Sequence, residues 1–361
     1  MDALSEVLRV VRLTSAVFYN ARFSAPWCFA SPEVGTVMEI LHPGSERMVI
    51  FHLLTEGECQ VEVEGALPRT LRAGEIIVFP HGDAHRMASE RNVAAAGPVD
   101  LHALLRRGPR ELRYGGGGKP TRFICGFLSC DPRLCGPILR ALPRVFTVNL
   151  RGRHDPEWLE QSIRYAVGEA AAVRPGGAGV LAKLSEVLFI ETLRRYMESL
   201  PAEQTGWLAG VRDGVVGKAL ALLHVDPAAR WTVQALAQKC NVSRSVLAER
   251  FTHYVGQSPM HYLTRWRLAL AANNLRTTSL SIGRVAQEAG YESDATFSRA
   301  FRREYGVPPA AWRAMERIGR MSSGNSEDAD VRQGLARNTV RRLALFELRA
   351  PSPRAERRKD C

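Results

Sequence analysis

The chain has 361 residues and a net charge of +12, and its 45% hydrophobic and 24% charged fractions are typical of globular proteins. Two domains are expected at this length, because single hydrophobic cores rarely exceed about 250–300 residues. No apolar stretch reaches the roughly 20 residues of a membrane span, so no membrane partner is expected. The odd number of cysteines, 7, without a disulfide framework pattern, predicts a reducing cytoplasmic location.

The first part of the chain is predicted to form strands. Short apolar runs separated by glycine, proline and charged turns are typical of β-strands. The predicted strands are Thr36–Leu41, Met48–Leu54, Val61–Val63, Ile76–Phe79 and Phe123–Leu128. Their regular spacing favours an antiparallel sandwich or barrel. Residues 89–119 lose this pattern and are predicted to form a loop, because the four glycines at 115–118 hold regular structure poorly.

Helices are predicted after Asp131, where the apolar period changes to 3.6 residues. One helix is expected around residues 158–167, and a longer one over Val180–Leu200. The apolar stripe of the longer helix predicts either a dimer interface or a face packed on its own domain. Residues 201–206 form the predicted linker. The tail at 322–361 is polar and then rich in arginine and proline, so it is predicted to be mostly disordered.

Positive charge is concentrated in one segment. Residues 217–320 carry 15 Lys and Arg against 7 Asp and Glu, whereas residues 1–150 carry 17 against 15. A localised basic segment indicates a polyanionic partner.

The basic segment also contains a repeat of about 50 residues. Thr232–Phe251 matches Ser281–Phe301, and each copy has the pattern of a helix-turn-helix. A capping residue, a short helix and a left-handed turn residue precede a second capped helix. The predicted N-caps are Thr232, Ser243, Ser281 and Ser293, and the predicted turn residues are Asn241 and Gly290.

Residues 213–315 resemble the DNA-binding domain of the bacterial AraC/XylS regulators. That domain consists of two helix-turn-helix units joined by a long helix, which corresponds here to Pro259–Arg276. Gly306–Arg313 is similar to the closing signature of the family. The resemblance implies that the second helix of each unit enters a major groove of double-stranded operator DNA. RNA polymerase is a further expected partner.

The resemblance also assigns roles to residues of the two reading helices. The base-reading positions are Ser245, Ala248 and Glu249 in the first helix, and Ala295, Thr296 and Arg299 in the second. Arg299 suits bidentate contact to guanine, and Glu249 can accept from cytosine. Four other arginines are expected either to contact phosphate or to be solvated or ion-paired. These are Arg244, Arg250, Arg302 and Arg303.

A second motif lies in the strand-rich part. Gly74, Pro80, His81, Gly82 and His85 have the spacing of the second cupin motif, so residues 1–130 resemble the cupin sensor domain of many AraC-type regulators. The resemblance implies an antiparallel jelly-roll β-barrel that binds a small-molecule effector, and the alternative is a barrel that serves only dimerisation or partner binding. The helices predicted after Asp131 form a connector at 131–206. The candidate effector-pocket residues are His52, His81 and His85. The alternative for each one singly is a hydrogen-bonded structural role.

The first cupin motif, which supplies the other metal ligands of enzymes, is incomplete. His42 and His52 are isolated, and the position near Ile50 is apolar. We therefore expect no metal, no cofactor and no catalytic residue. The sequence predicts an α+β multidomain, homodimeric regulator with an all-α C-terminal domain. The alternatives are a cupin metalloenzyme or metal-dependent sensor fused to DNA-binding helices, and a non-specific architectural nucleic-acid binder.

Overall fold

The structure is a computed structural model that describes residues 2–11, 19–38, 46–91, 93, 112–151, 161–162, 165, 168–169, 174–201 and 203–323. The chain divides into two compact units, Met1–Ala269 and Leu270–Cys361. No helix within the described ranges is long and apolar enough to span a bilayer. Most of the helix predicted around 158–167 and nearly all of the 322–361 tail lie outside the described residues.

The strands of the first unit form two sheets. They are β1 (Tyr19–Ser24), β2 (Cys28–Ser31), β3 (Met48–Glu56), β4 (Glu58–Val63), β5 (Arg69–Arg72), β6 (Glu75–Phe79), β7 (His85–Ala88), β8 (Leu112–Gly115), β9 (Pro120–Ser129) and β10 (Phe146–Asn149). One sheet has the order β10-β6-β3-β9-β1-β8, and the other has the order β2-β7-β4-β5. The pairs are antiparallel except β1 with β8, which is parallel. The sheet-rich region is thus confirmed, and the closed barrel stays a prediction.

One buried cluster draws side chains from both sheets. Along β4, buried Cys59, Val61 and Val63 alternate with more exposed residues, which gives the strand one apolar face. Phe123 and Trp27 pack edge-to-face with ring centroids 5.6 Å apart. Aromatic and aliphatic side chains of the described residues therefore fill this core.

Two segments differ from the sequence expectation. The predicted strand at Thr36–Leu41 is wrong at its start, because Val34–Thr36 forms a 3-10 turn whose Val34 is buried in a cluster with Met48. The predicted loop is also wrong at its end, because Leu112–Gly115 forms β8. Gly115 has a φ of +123°, and a Cβ there would lie 1.9 Å from the carbonyl oxygen of Ser24. Residues 39–41, 92 and 94–111 lie outside the described ranges.

The described chain also contains eleven helices that have assigned bounds. They are α1 (Ala3–Val10), α2 (Pro132–Leu139), α3 (Gly177–Ser199), α4 (Trp207–Arg212), α5 (Val216–Val225), α6 (Val233–Lys239), α7 (Arg244–Val255), α8 (Pro259–Thr277), α9 (Ile282–Glu288), α10 (Asp294–Tyr305) and α11 (Pro309–Ser323). The long helix predicted over Val180–Leu200 is confirmed as α3, and the one predicted over Pro259–Arg276 is confirmed as α8. The boundary between the two units falls inside α8.

Local signals explain where the repeated helices begin and end. Helices α6, α7, α9 and α10 each start after a side-chain oxygen that accepts a backbone N–H three residues later. These predicted caps are Thr232, Ser243, Ser281 and Ser293, with N···O distances of 3.0, 3.3, 3.2 and 3.5 Å. The predicted turn residues Asn241 and Gly290 have left-handed φ values of 59° and 77°. The predicted caps and turn residues of both copies are therefore confirmed.

Helix α4 packs with the helices that follow it, although it precedes the predicted domain start at residue 213. Trp207 is only 4% exposed, and its Nε1 donates to Tyr262 Oη at 2.9 Å. His224 Nε2 lies 2.7 Å from the same oxygen. Just before α4, the N–H of Gly206 donates to the carbonyl of Tyr254 at 2.8 Å.

Candidate nucleic-acid interface and effector cleft

Helix α7 has one buried and one exposed face. Leu247 and Phe251 are fully buried in the first unit. Because successive residues turn by about 100° around a helix, the opposite direction belongs to Glu249, with Ser245 at one side of it. Both are exposed, whereas Ala248 is half-buried and lies nearer the core. The structure thus places two of the three predicted base-reading residues of α7 at the centre of the exposed face.

Val246 is a residue of this face that sequence reasoning missed. It lies on the other side of Glu249 from Ser245, and it is 40% exposed. A signal was available, because the repeat aligns Val246 with Thr296 at an offset of 50 residues. An exposed valine on a reading helix is suited to contact a thymine methyl group.

Helix α10 repeats this arrangement in the second unit. Phe297 and Phe301 are buried, and Ala295, Thr296 and Arg299 are exposed together on the other side. The Arg299 guanidinium donates from Nη2 to Thr296 Oγ1 at 3.3 Å. All three predicted base-reading residues of this helix therefore share one exposed face.

The four predicted phosphate-contacting arginines are all exposed. Arg244 begins α7, and Arg302 and Arg303 lie in the last turns of α10. Arg250 differs from the others because its Nη2 forms an ion pair with the carboxylate of Asp213.

In the sheet region, the structure brings His52 and His85 together. Their Nε2 atoms lie 2.9 Å apart, and His85 Nδ1 lies 2.9 Å from the carbonyl oxygen of Asp83. Because a carbonyl can only accept, His85 Nδ1–H donates to it, and His85 Nε2 accepts from His52 Nε2–H. His52 Nδ1 is then a buried acceptor, and it has no hydrogen-bond partner among the described residues.

Burial determines the charge of this histidine pair. It lowers the pKa of His85 to about 4. Burial, together with the neighbouring His85, also lowers the pKa of His52 well below its ordinary value. The His85 ring stacks on Phe79 with centroids 3.8 Å apart and an interplanar angle of 10°. Both imidazoles are therefore neutral near pH 7.

His81 does not join the pair. Its Nδ1 lies 2.9 Å from Arg47 Nη2, and its Nε2 lies 3.3 Å from the carbonyl oxygen of Leu142. His81 thus connects the end of β6 with the segment after α2. Within the part of the chain that the structure describes, no three His, Cys, Asp or Glu residues are grouped to hold a metal ion.

His85 also lines an open cleft of about 520 Å³ beside strands β2, β4 and β7. Ser31, Glu62 and Arg86 provide polar groups in its wall, among apolar side chains such as Val63. Arg86 Nη1 donates to Glu62 Oε2 at 3.1 Å. The volume lies within the range of small-molecule sites.

Comparison with known proteins assigns a family to each of the two regions. A cupin family model matches residues 2–198, and a helix-turn-helix domain model matches residues 236–315. A putative AraC-like transcription regulator of Streptomyces lividans is 32% identical over 317 residues, which are 87% of this chain and 98% of the relative. This chain belongs to the AraC-like transcription regulators.

The AraC-like regulator has other relatives. The HTH-type transcriptional regulator AlkR of Acinetobacter baylyi is 26% identical over 316 residues, covering 87% of this chain and 99% of AlkR. Among solved structures, the DNA-binding domain of AdpA in complex with a target DNA is 29% identical. The match covers 30% of this chain and 98% of that domain, with a TM-score of 0.29.

Membership of this family defines the general activity of the chain. The chain is a DNA-binding transcription regulator with an N-terminal cupin region and a C-terminal helix-turn-helix domain, and it is not an enzyme. The cupin match extends past the predicted boundary at residue 130 to residue 198, so it includes α2 and most of α3.

Proposed function

We propose that this AraC-like regulator reads a specific operator in double-stranded DNA through two helix-turn-helix units, with α7 and α10 as the reading helices. The observation that carries this proposal is the repeated exposed face. Each helix buries two core side chains and leaves small, polar or charged residues outward at matching positions. The excess of basic residues at 217–320 adds sequence-independent attraction to phosphate.

A selection of genomic fragments bound by the full chain tests operator reading. We expect enrichment of a defined sequence, and affinity for it that exceeds affinity for scrambled duplexes by a factor of about 10³ or more. An architectural binder would retain all fragments alike, with affinity set by salt alone. Equal retention of all fragments would contradict sequence-specific regulation.

We further propose that a small organic effector binds the cleft beside His85, in a cupin jelly-roll barrel. The cleft combines apolar wall residues with the charged groups of Glu62 and Arg86, which suits a molecule that has both apolar and polar parts. His52, directly behind His85, has an unused buried acceptor at Nδ1.

Contacts inside the first unit support transmission from the cupin region to α7. At the end of α3, the carbonyls of Met197 and Leu200 accept from Arg212 Nη1 at 2.7 and 2.9 Å. The Gly206 N–H bonds to Tyr254 near the end of α7, and α1 packs on α5. A shift of α3 therefore reaches the reading helix through direct contacts. A coupling of about 1–3 kcal/mol between effector and DNA suffices for regulation.

Thermal-shift screening with small acids, sugars and aromatic compounds tests the effector proposal, followed by DNA titrations with each ligand found. His85→Ala is expected to lower the affinity for the ligand at least several-fold. His81→Ala is the comparison, because His81 lies outside the histidine pair. A ligand that stabilises the chain but leaves its DNA affinity and transcription unchanged would contradict effector control.

We propose that the regulator acts as a homodimer in the cytoplasm, where it meets RNA polymerase at its operator. Support for the dimer comes from α3, where Val180, Leu184 and Val187 follow helical spacing and are at least partly exposed. Paired half-sites on DNA usually require paired proteins.

A further inference from the structure

The carboxylate of Asp213 serves two separate groups at the junction of α4 and α5. Its Oδ1 accepts the backbone N–H groups of Val215 and Val216 at 3.0 and 2.9 Å, which caps the start of α5. Its Oδ2 forms the ion pair with Arg250 of α7. The Asp213 side chain is only 5% exposed, so the surrounding protein holds the carboxylate in place.

The bonds that Asp213 accepts keep it ionised. Burial alone raises the pKa of a carboxyl group, but the hydrogen bonds from Val216 and from the Arg250 guanidinium outweigh it. The pKa of Asp213 is therefore below its ordinary value. A fixed negative charge thus faces Arg250 throughout the neutral pH range.

Arg250 lies at the edge of the exposed face of α7. Tyr254, one helical turn after Arg250, packs against Gly210 of α4. Arg250 therefore stands on the side of α7 that α4 covers. Its side chain is nonetheless about half exposed, and only Nη2 is engaged by Asp213. The repeat aligns Arg250 with Ala300, so α10 has no equivalent of this pair.

We propose that Asp213 is a positioning residue for DNA binding: it holds the Arg250 guanidinium on the rim of the α7 reading face, where the remaining N–H groups contact a DNA phosphate. This inference rests on the proposed phosphate contact of Arg250. A long side chain loses conformational freedom when it binds, which weakens binding by a factor of about 2 to 10. An arginine already held by a carboxylate has lost much of that freedom before DNA arrives.

The two roles of Asp213 are separable by substitution. In Asp213→Asn, the amide oxygen still accepts the Val215 and Val216 N–H groups, because asparagine caps helices as well as aspartate does. The ion pair with Arg250 is lost. Asp226→Asn is the matched control. The side chain of Asp226 also accepts a backbone N–H, that of Ala229 at 3.1 Å, and the substitution changes the net charge by the same amount.

The experiment measures affinity of the full chain for a random-sequence DNA duplex at several salt concentrations. Arg250→Met should lower affinity several-fold and reduce the slope of log affinity against log salt by about 0.9, the value for one phosphate contact. Asp213→Asn should lower affinity about 2- to 10-fold with the slope unchanged. In the Arg250→Met background, Asp213→Asn should change affinity less than 2-fold. Asp226→Asn should not lower affinity.

Each failure has a distinct signature. If Arg250→Met leaves affinity and slope unchanged, the proposed phosphate contact is wrong. If Arg250→Met acts as expected but Asp213→Asn does not lower affinity, the contact stands and positioning by Asp213 is refuted. A rise in affinity beyond that of Asp226→Asn also refutes it, because Asp213 would then withhold Arg250 from DNA. An equal loss from Asp213→Asn with and without Arg250 would assign its effect to the helix cap.

Discussion

Arg299 is the side chain on α10 best suited to identify a base, because a guanidinium can donate two parallel hydrogen bonds to guanine. Its bond to Thr296 already holds it on the exposed face. Arg299→Ala is expected to cost about 1–3 kcal/mol on the selected operator and to relax the preference at one base pair. Titration of the operator and its single-base variants measures both effects. Arg303→Ala is the control, because a lost phosphate contact weakens all duplexes alike, and the same uniform loss for Arg299→Ala would contradict base reading.

Val246 extends the exposed face of α7 beyond its polar residues. Val246→Ala removes two exposed methyl groups, and it is expected to reduce the preference for thymine at one position by about 1 kcal/mol. The measurement is operator binding with thymine replaced by uracil, which lacks the methyl group, at each site in turn. Val225→Ala shortens another exposed valine, at the end of α5, and should leave base preference unchanged. A wild-type chain indifferent to every such replacement would exclude this contact.

At the scale of elements, we predict that the DNA-binding part of the first unit begins with α4. A fragment over residues 201–321 keeps Trp207, whereas one over 213–321 loses it and leaves Tyr262 without its donor. Removing a buried tryptophan costs about 3–5 kcal/mol, so the longer fragment should be more stable by at least about 3 kcal/mol. Urea denaturation of both fragments measures the difference. The stability of the longer fragment with Trp207→Phe should lie between those of the two fragments. Equal stability of all three would show that α4 is dispensable.

The exposed stripe of α3 makes the dimer proposal testable without disturbing the core. Leu188 is only 2% exposed, so a charge there would unfold the unit rather than separate subunits. Val180→Asp with Val187→Asp instead changes two exposed positions, and the double variant should sediment as a folded monomer at micromolar concentration. Leu67→Asp, at another exposed apolar site, should remain dimeric. A monomeric wild-type chain would rule out the dimer.

Elements marked by local signals could be predicted, and those that depend on distant contacts could not. The caps and turns of α6, α7, α9 and α10 were readable because each bond spans three residues. Helix α4 has six residues, too few for a period, and its anchor at Tyr262 lies 55 residues from Trp207. Strand β8 was missed because its partner β1 lies far away in sequence.

The site residues show the same difference between local signals and distant contacts. His52 and His85 were both candidates, yet their contact depends on the alignment of β3 and β7, which belong to different sheets. The exposed face of α10 followed from helical spacing, whereas on α7 the sequence prediction missed Val246 and included the half-buried Ala248. Pairing of Asp213 with Arg250 follows from the packing of separate helices, which no sequence pattern records.

At the scale of the whole molecule, buried neutral histidines make stability depend on pH. The pKa of His85 is about 4 in the folded chain against an ordinary 6.5, so the unfolded chain binds the proton more tightly. The contribution of His85 to the free energy of unfolding is fully present above pH 6.5, and it is lost as the pH falls from 6.5 towards 4. His52 and His224 act in the same direction, because burial also lowers their pKa values.

Acidification from about pH 7.5 to about pH 5 is therefore expected to lower the free energy of unfolding by roughly 2 kcal/mol for His85 alone. Urea denaturation at several pH values measures this dependence. His85→Gln should flatten it, whereas His253→Gln, which replaces an exposed histidine, should not. A wild-type chain whose stability is constant over this range would contradict burial of neutral imidazoles.

The stacking of His85 on Phe79 also gives the molecule a built-in spectroscopic probe. At a centroid distance of 3.8 Å, the imidazole carbon-bound protons lie in the shielding region of the phenyl ring current. Their proton resonances should therefore appear upfield of ordinary histidine signals. A compound that enters the cleft and turns the imidazole would move these resonances downfield, so occupancy of the cleft can be followed in solution with no DNA present.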